Sequence, residues 1–127
     1  MLPLRFPRLW TALAWSLTAG VIVGSLLPNE VIEAAIPAET DKAVHAASYF
    51  ILMVSFAGLY RRGLYLIVAA VLLALGVCLD LLQLLTETRS FDWKDIAMNS
   101  AGIALGLVLS WSLLGGWCER VERRLLS

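Results

Sequence analysis

The chain has 127 residues, 60% hydrophobic and 16% charged, with a formal net charge of zero and a mean hydropathy of +0.80. A soluble domain of this length carries about a quarter charged and about 45–50% apolar residues. The composition excludes a basic nucleic-acid surface, and two cysteines, Cys78 and Cys118, both in or beside apolar runs, make no disulfide framework.

The apolar excess falls in four blocks. Leu9 to Leu27 holds no charged residue, and about 20 such residues cross ~30 Å of hydrocarbon at ~1.5 Å per residue. This predicts a helix over 9–27, stopped by Pro28-Asn29. Arg5 and Arg8 ahead of the run also suit a cleaved signal peptide, but a signal core usually has about 7–15 residues, fewer than here. An acidic loop leads to a second helix over 43–60, with Thr40 or Asp41 as its cap and Arg61-Arg62-Gly63 as a short turn after it. The third helix, 63–85, is broken only by Asp80. The fourth, 95–117, follows the polar patch Glu87–Asp95. A charged tail, Glu119 to Leu126, reads as an amphipathic helix in the interface with its arginines toward headgroups. Trp10, Trp93 and Trp117 stand near predicted borders, where aromatic side chains anchor a span.

A soluble bundle would need charged outer faces, whereas these segments are apolar all round. Short turns make successive helices antiparallel neighbours. The expected fold is therefore all-α, one domain over 1–127: an integral membrane antiparallel four-helix bundle. Arg5, Arg8, Arg61, Arg62, Arg120, Arg123 and Arg124 fall on one side, against Lys42, Arg89 and Lys94 on the other. That bias sets both termini inside, on the cytoplasmic face of a bacterial inner membrane. Two glycine pairs, Gly20/Gly24 and Gly102/Gly106, would let helix backbones approach closely, either within the bundle or in a homodimer.

Helix 2 begins at the outer face, helix 3 ends there and helix 4 begins there, so their polar residues share one depth. Asp41, His45 and Tyr49 step by four; Gly76, Asp80, Gln83 and Glu87 step by four, three and four; Asp92, Asp95, Asn99, Gly102 and Gly106 step by three, four, three and four. Each set forms one stripe, so the polar groups are expected to point into the bundle. Asp92 with Asp95 also suits simple helix capping. Asp80 resists a purely structural account best, though helix stapling stays an alternative: a carboxylate inside an apolar helix costs ~2.5–3.5 kcal/mol on insertion scales and needs a cationic or donor partner, or a proton.

Asp41-Lys42-x-x-His45-x-x-x-Tyr49, the acidic Asp80 with Gln83 three on, and Arg89-x-x-Asp92-x-x-Asp95-x-x-x-Asn99-x-x-Gly102-x-x-x-Gly106 together resemble the VanZ-like family of small membrane proteins. Family members usually carry Glu where this chain has Asp80, one methylene shorter. The resemblance implies a four-helix protein of the cell envelope, and its founding member is associated with resistance to the glycopeptide teicoplanin.

Two function classes follow. In the first, Lys42, His45 and Arg89, beside Asp41, Asp80, Asp92 and Asp95, bind the headgroup of a membrane lipid, a lipid-linked envelope precursor or a lipoglycopeptide. Lys and Arg suit phosphate oxygens, and Tyr49, Gln83 and Asn99 supply neutral polar contacts. In the second, His45 and Asp80 are catalytic in an intramembrane hydrolase or transferase acting on a phospholipid or polyprenyl-linked substrate. A proton-coupled transporter is a third, weaker reading. A lone His with scattered Asp lacks zinc-site spacing; a hard-cation site at Asp80, Asp92 and Asp95 stays open, and no cofactor is expected. The oligomeric state is open.

Overall fold

The computed structural model describes residues 2–26, 41–85 and 93–126. The expected stops of helix 1 at Pro28-Asn29 and the outer loops therefore lie outside the described residues. Within them the chain is helical, and no strand occurs. Helix α1 spans Pro7–Leu26, α2 Asp41–Ala57, α3 Tyr65–Leu85 behind a 3₁₀ turn at Arg62–Leu64, α4 Trp93–Leu109 continued by a π turn at Ser110–Leu114, and α5 Trp117–Leu126.

Three helical stretches are long and apolar enough to cross a membrane: Pro7–Leu26, Arg62–Leu82 and Trp93–Leu114. The 17 residues of α2 span ~26 Å, and its first turn is polar. Yet α2 is the centre of the packing. Tyr49, Leu52, Met53 and Ala57 of α2 form the main core with Tyr65 and Leu72 of α3 and Ile103 of α4. Large apolar side chains are exposed on the outside, with Leu9 and Val23 on α1, Ile67 and Val71 on α3, and Leu105 and Val108 on α4. A core helix wrapped by helices with greasy outer faces is the arrangement hydrocarbon allows and water does not.

The α2 helix stops at Ala57, three residues before the expected Tyr60, and the turn there is tied to the rest of the chain. Trp117 Nε1 donates to Val54 O at 2.8 Å, the Tyr65 hydroxyl donates to Ala57 O at 3.2 Å, and Leu2 N donates to Leu59 O at 2.7 Å. Orphan carbonyls at a helix end are thus satisfied by tertiary partners. Gly58 is needed there: a Cβ on it would lie 2.5 Å from Cys118 Sγ and 2.6 Å from Trp117 Nε1.

The fourth helix ends at Leu114 and not Trp117. Gly116 takes a φ of 71°, a left-handed conformation that turns the chain into α5. Arg120 reaches back, donating to Gly115 O at 2.6 Å and Leu113 O at 3.0 Å, so a cation covers the carbonyl end of α4.

The tail is fastened and does not merely rest on the interface. Glu122 accepts from Arg5 N and Phe6 N at 2.8 Å each and from Trp10 Nε1 at 2.9 Å. A carboxylate thereby caps the amide end of α1, whose first residue is Pro7. Trp10 and Trp117 meet edge to face with centroids 5.4 Å apart. Burial pushes the Cys118 thiol up to about 12, with the Glu122 charge adding to it. Arg123 and Arg124 point outward, as the amphipathic reading of the tail expects.

Candidate functional site

The two faces that carry the polar stripes of α2 and α4 are pressed together by glycine. A Cβ on Gly102 would overlap the backbone carbonyl of Ala46, and one on Gly106 would sit 2.9 Å from Met53 Cβ and 3.2 Å from Phe50 O. Ala46, Phe50 and Met53 step by four and three, one face of α2. This glycine pair therefore packs within the chain. Gly20 and Gly24 of α1, the other pair, meet no described atom within 4 Å.

One turn from Gly102 along that seam stands Asn99, 2% exposed. His45 Nδ1 and Asn99 Oδ1 are 3.2 Å apart. A carbonyl oxygen only accepts, so in this contact Nδ1 is the donor. The other end of the Asn99 amide turns toward α3. A Cβ built on Gly76 would lie 3.1 Å from Asn99 Nδ2 and 3.2 Å from the Tyr49 hydroxyl oxygen. Gly76 thus leaves just enough room for an amide and a phenol to share one spot.

Asp80, one turn beyond Gly76 on α3, is 4% exposed. Its carboxylate points into the bundle, not at lipid, and acts electrostatically on the Tyr49 hydroxyl. His45, Tyr49, Asp80 and Asn99 come from three helices and meet where those helices present their polar ends. Asp95 lies on the first turn of α4 and is half-buried. Asp41 and Lys42 open α2 and Gln83 sits near the end of α3, but their side chains lie outside the described residues, as do Arg89 and Asp92 entirely. Among the described residues no three His, Cys, Asp or Glu side chains are grouped to hold a metal ion.

The local chemistry is a cluster of one half-buried imidazole with a buried amide, a buried phenol and a buried carboxylate. It can donate and accept hydrogen bonds in several directions at the end of an otherwise apolar bundle. Sequence spacing found these four residues. It missed Glu122, whose contacts join residues more than a hundred positions apart, and Ser110, fully buried in the π turn, because neither belongs to a periodic polar stripe.

Comparison with curated proteins and with solved structures finds no match. A family model described as VanZ/LLP1 matches residues 6–115, which take in α1 through α4 and all four members of the polar site, and the chain, an apolar-helix membrane protein, belongs to that family.

Proposed function

We propose that this chain is a multi-pass protein of the bacterial cytoplasmic membrane, an antiparallel four-helix bundle with both termini inside. The polar site at its outer end binds the headgroup of a membrane lipid or lipid-linked envelope precursor. Altered susceptibility to lipoglycopeptides such as teicoplanin is the expected consequence. One observation carries the reading: the half-buried His45 is hydrogen-bonded to the buried Asn99, and a buried carboxylate, Asp80, stands on the neighbouring helix within an apolar span. Such a cluster is costly in hydrocarbon. Simple helix stapling is already supplied by the glycine seam of α4.

The roles follow from donor and acceptor capacity. Lys42 and Arg89 face phosphate oxygens. Tyr49, Gln83 and Asn99 take sugar or amide groups, and Asp41, Asp80, Asp92 and Asp95 accept from hydroxyl or ammonium donors. In a second reading His45, held through Nδ1 against Asn99, and Asp80 serve as the acid–base groups of an intramembrane hydrolase or transferase acting on a phospholipid or polyprenyl-linked substrate.

Mass spectrometry of the lipid that accompanies detergent-extracted protein tests both. An intact phospholipid or polyprenyl phosphate, lost from a His45→Gln/Asp80→Asn variant, is the expected result. A cleaved or transferred product made by the parent favours the enzyme. Identical lipid content in parent and variant overturns the site.

A further inference from the structure

The opposite half of the molecule carries a second feature. A groove of about 410 Å³ runs between α1 and α3, with Trp15 and Ile22 on one wall, Leu64, Val71 and Leu75 on the other, and Tyr60 at one end. Its lining is apolar apart from the Tyr60 and Thr18 hydroxyls and the Trp15 indole N–H, and Thr18 is spent on its own helix, donating to Ala14 O at 2.9 Å. The rim faces outward, since Trp15, Ile67 and Val71 are all more than half exposed.

Two properties identify the occupant. Along α3 the groove extends from Leu64 to Leu75, ~16 Å at ~1.5 Å per residue, which is the hydrocarbon depth of one leaflet and half that of a bilayer. A partner transmembrane helix would need the whole thickness. One acyl chain fits the half. Moreover, arginines stand at one end of the groove. Arg61 and Arg62 lie in the chain between the lining residues Tyr60 and Leu64, both exposed. Arg8 is exposed too, and Arg8, Trp15 and Ile22 recur every seven residues on one face of α1. Three arginines at the mouth of a one-leaflet apolar slot make a phosphate receptor above a chain receptor.

We infer that the α1–α3 groove binds an anionic phospholipid of the leaflet next to Arg8, Arg61 and Arg62. The acyl chain lies along Trp15 and Val71, and the phosphate lies on the arginines. This site is separate from the His45–Asn99 cluster and stands whether or not that cluster binds a headgroup.

The test is native mass spectrometry of the full chain in detergent, titrated with phosphatidylglycerol or phosphatidylcholine of the same acyl composition. The parent should retain one phosphatidylglycerol in preference to phosphatidylcholine, by roughly fivefold per arginine engaged. Arg8→Gln/Arg61→Gln/Arg62→Gln should bring the two lipids to equal retention. Val71→Trp, which fills the slot, should weaken both, while its melting temperature shows that it still folds. His45→Gln/Asp80→Asn, altered only at the far end, should keep the preference. Equal retention by the parent, an undiminished preference in the triple variant, parental binding by Val71→Trp, or loss of the preference in the far-end variant each overturns the assignment. So does a dimer whose formation displaces the lipid, because a second copy would then be the occupant.

Discussion

Two pairs of glycines with the same spacing lead different lives in this molecule. Gly102 and Gly106 are jammed against the backbone and Met53 of α2, while Gly20 and Gly24 touch no described atom. The motif permits a close approach but does not cause one. What decides is the partner face: α2 offers the small Ala46 at the crossing, and the polar residues His45, Tyr49 and Asn99 lie along the same seam. The tightly packed half thus holds the polar cluster. The loosely packed half, between α1 and α3, leaves the apolar groove.

The contrast is easiest to break at Gly102. Gly102→Ala puts a methyl into the Ala46 carbonyl, and backbone cannot swing aside as a side chain can, so the loss should reach ~3 kcal/mol or more. Gly106→Ala meets Met53 Cβ and the Phe50 carbonyl oxygen, at longer distances than Gly102 meets Ala46, and should cost ~1–3 kcal/mol. Unfolding in detergent measures both, and a Gly102→Ala protein as stable as the parent would refute the seam.

The second prediction concerns the end of the bundle away from the polar site. Burial pushes the Glu122 carboxyl up, but hydrogen bonds from Arg5, Phe6 and Trp10 and the Arg5 charge outweigh it, leaving it below its ordinary value of 4.5. A group lowered on folding contributes stability that is present above its unfolded pKa and is lost as pH falls through the folded one. The melting temperature of the parent should therefore drop on acidification below about pH 4.5. Glu122→Gln should start lower and lack that component. An identical acid profile in both proteins would mean that the clamp is not formed.

Smaller effects sharpen the comparison. A methyl at Gly76 would sit 3.1 Å from Asn99 Nδ2 and 3.2 Å from the Tyr49 oxygen. Gly76→Ala should cost only about 1 kcal/mol, yet disturb lipid retention, because it displaces the site. Gly20→Ala and Gly24→Ala enter open space and trade flexibility for helix propensity, so they should stay within ~1 kcal/mol of the parent. A large loss at either would place an unseen partner on α1.

Much of this was legible in the sequence, for a physical reason. A membrane span needs a long uncharged run, and polar residues inside one must share a face, so block lengths and steps of three and four located the helices and brought together His45, Tyr49, Asp80 and Asn99. Contacts without a period were not legible. Glu122 caps α1 from the far end of the chain, and Trp117, Tyr65 and Leu2 fasten the end of α2 and the turn after it through Val54 O, Ala57 O and Leu59 O. Nor could spacing tell which glycine pair finds a partner, since that depends on what the neighbouring helix offers at the crossing.

The central claim is that the polar seam recognises a ligand and does not merely staple helices. Replacing a buried polar pair is often nearly neutral for stability when hydrogen bonding is kept or both partners go together. The most direct measurement pairs the melting temperature of His45→Gln/Asp80→Asn with the amount of envelope lipid it retains on purification. Unchanged melting with the lipid lost is the predicted result. Unchanged melting with parental lipid content would contradict the claim and leave the seam as packing alone.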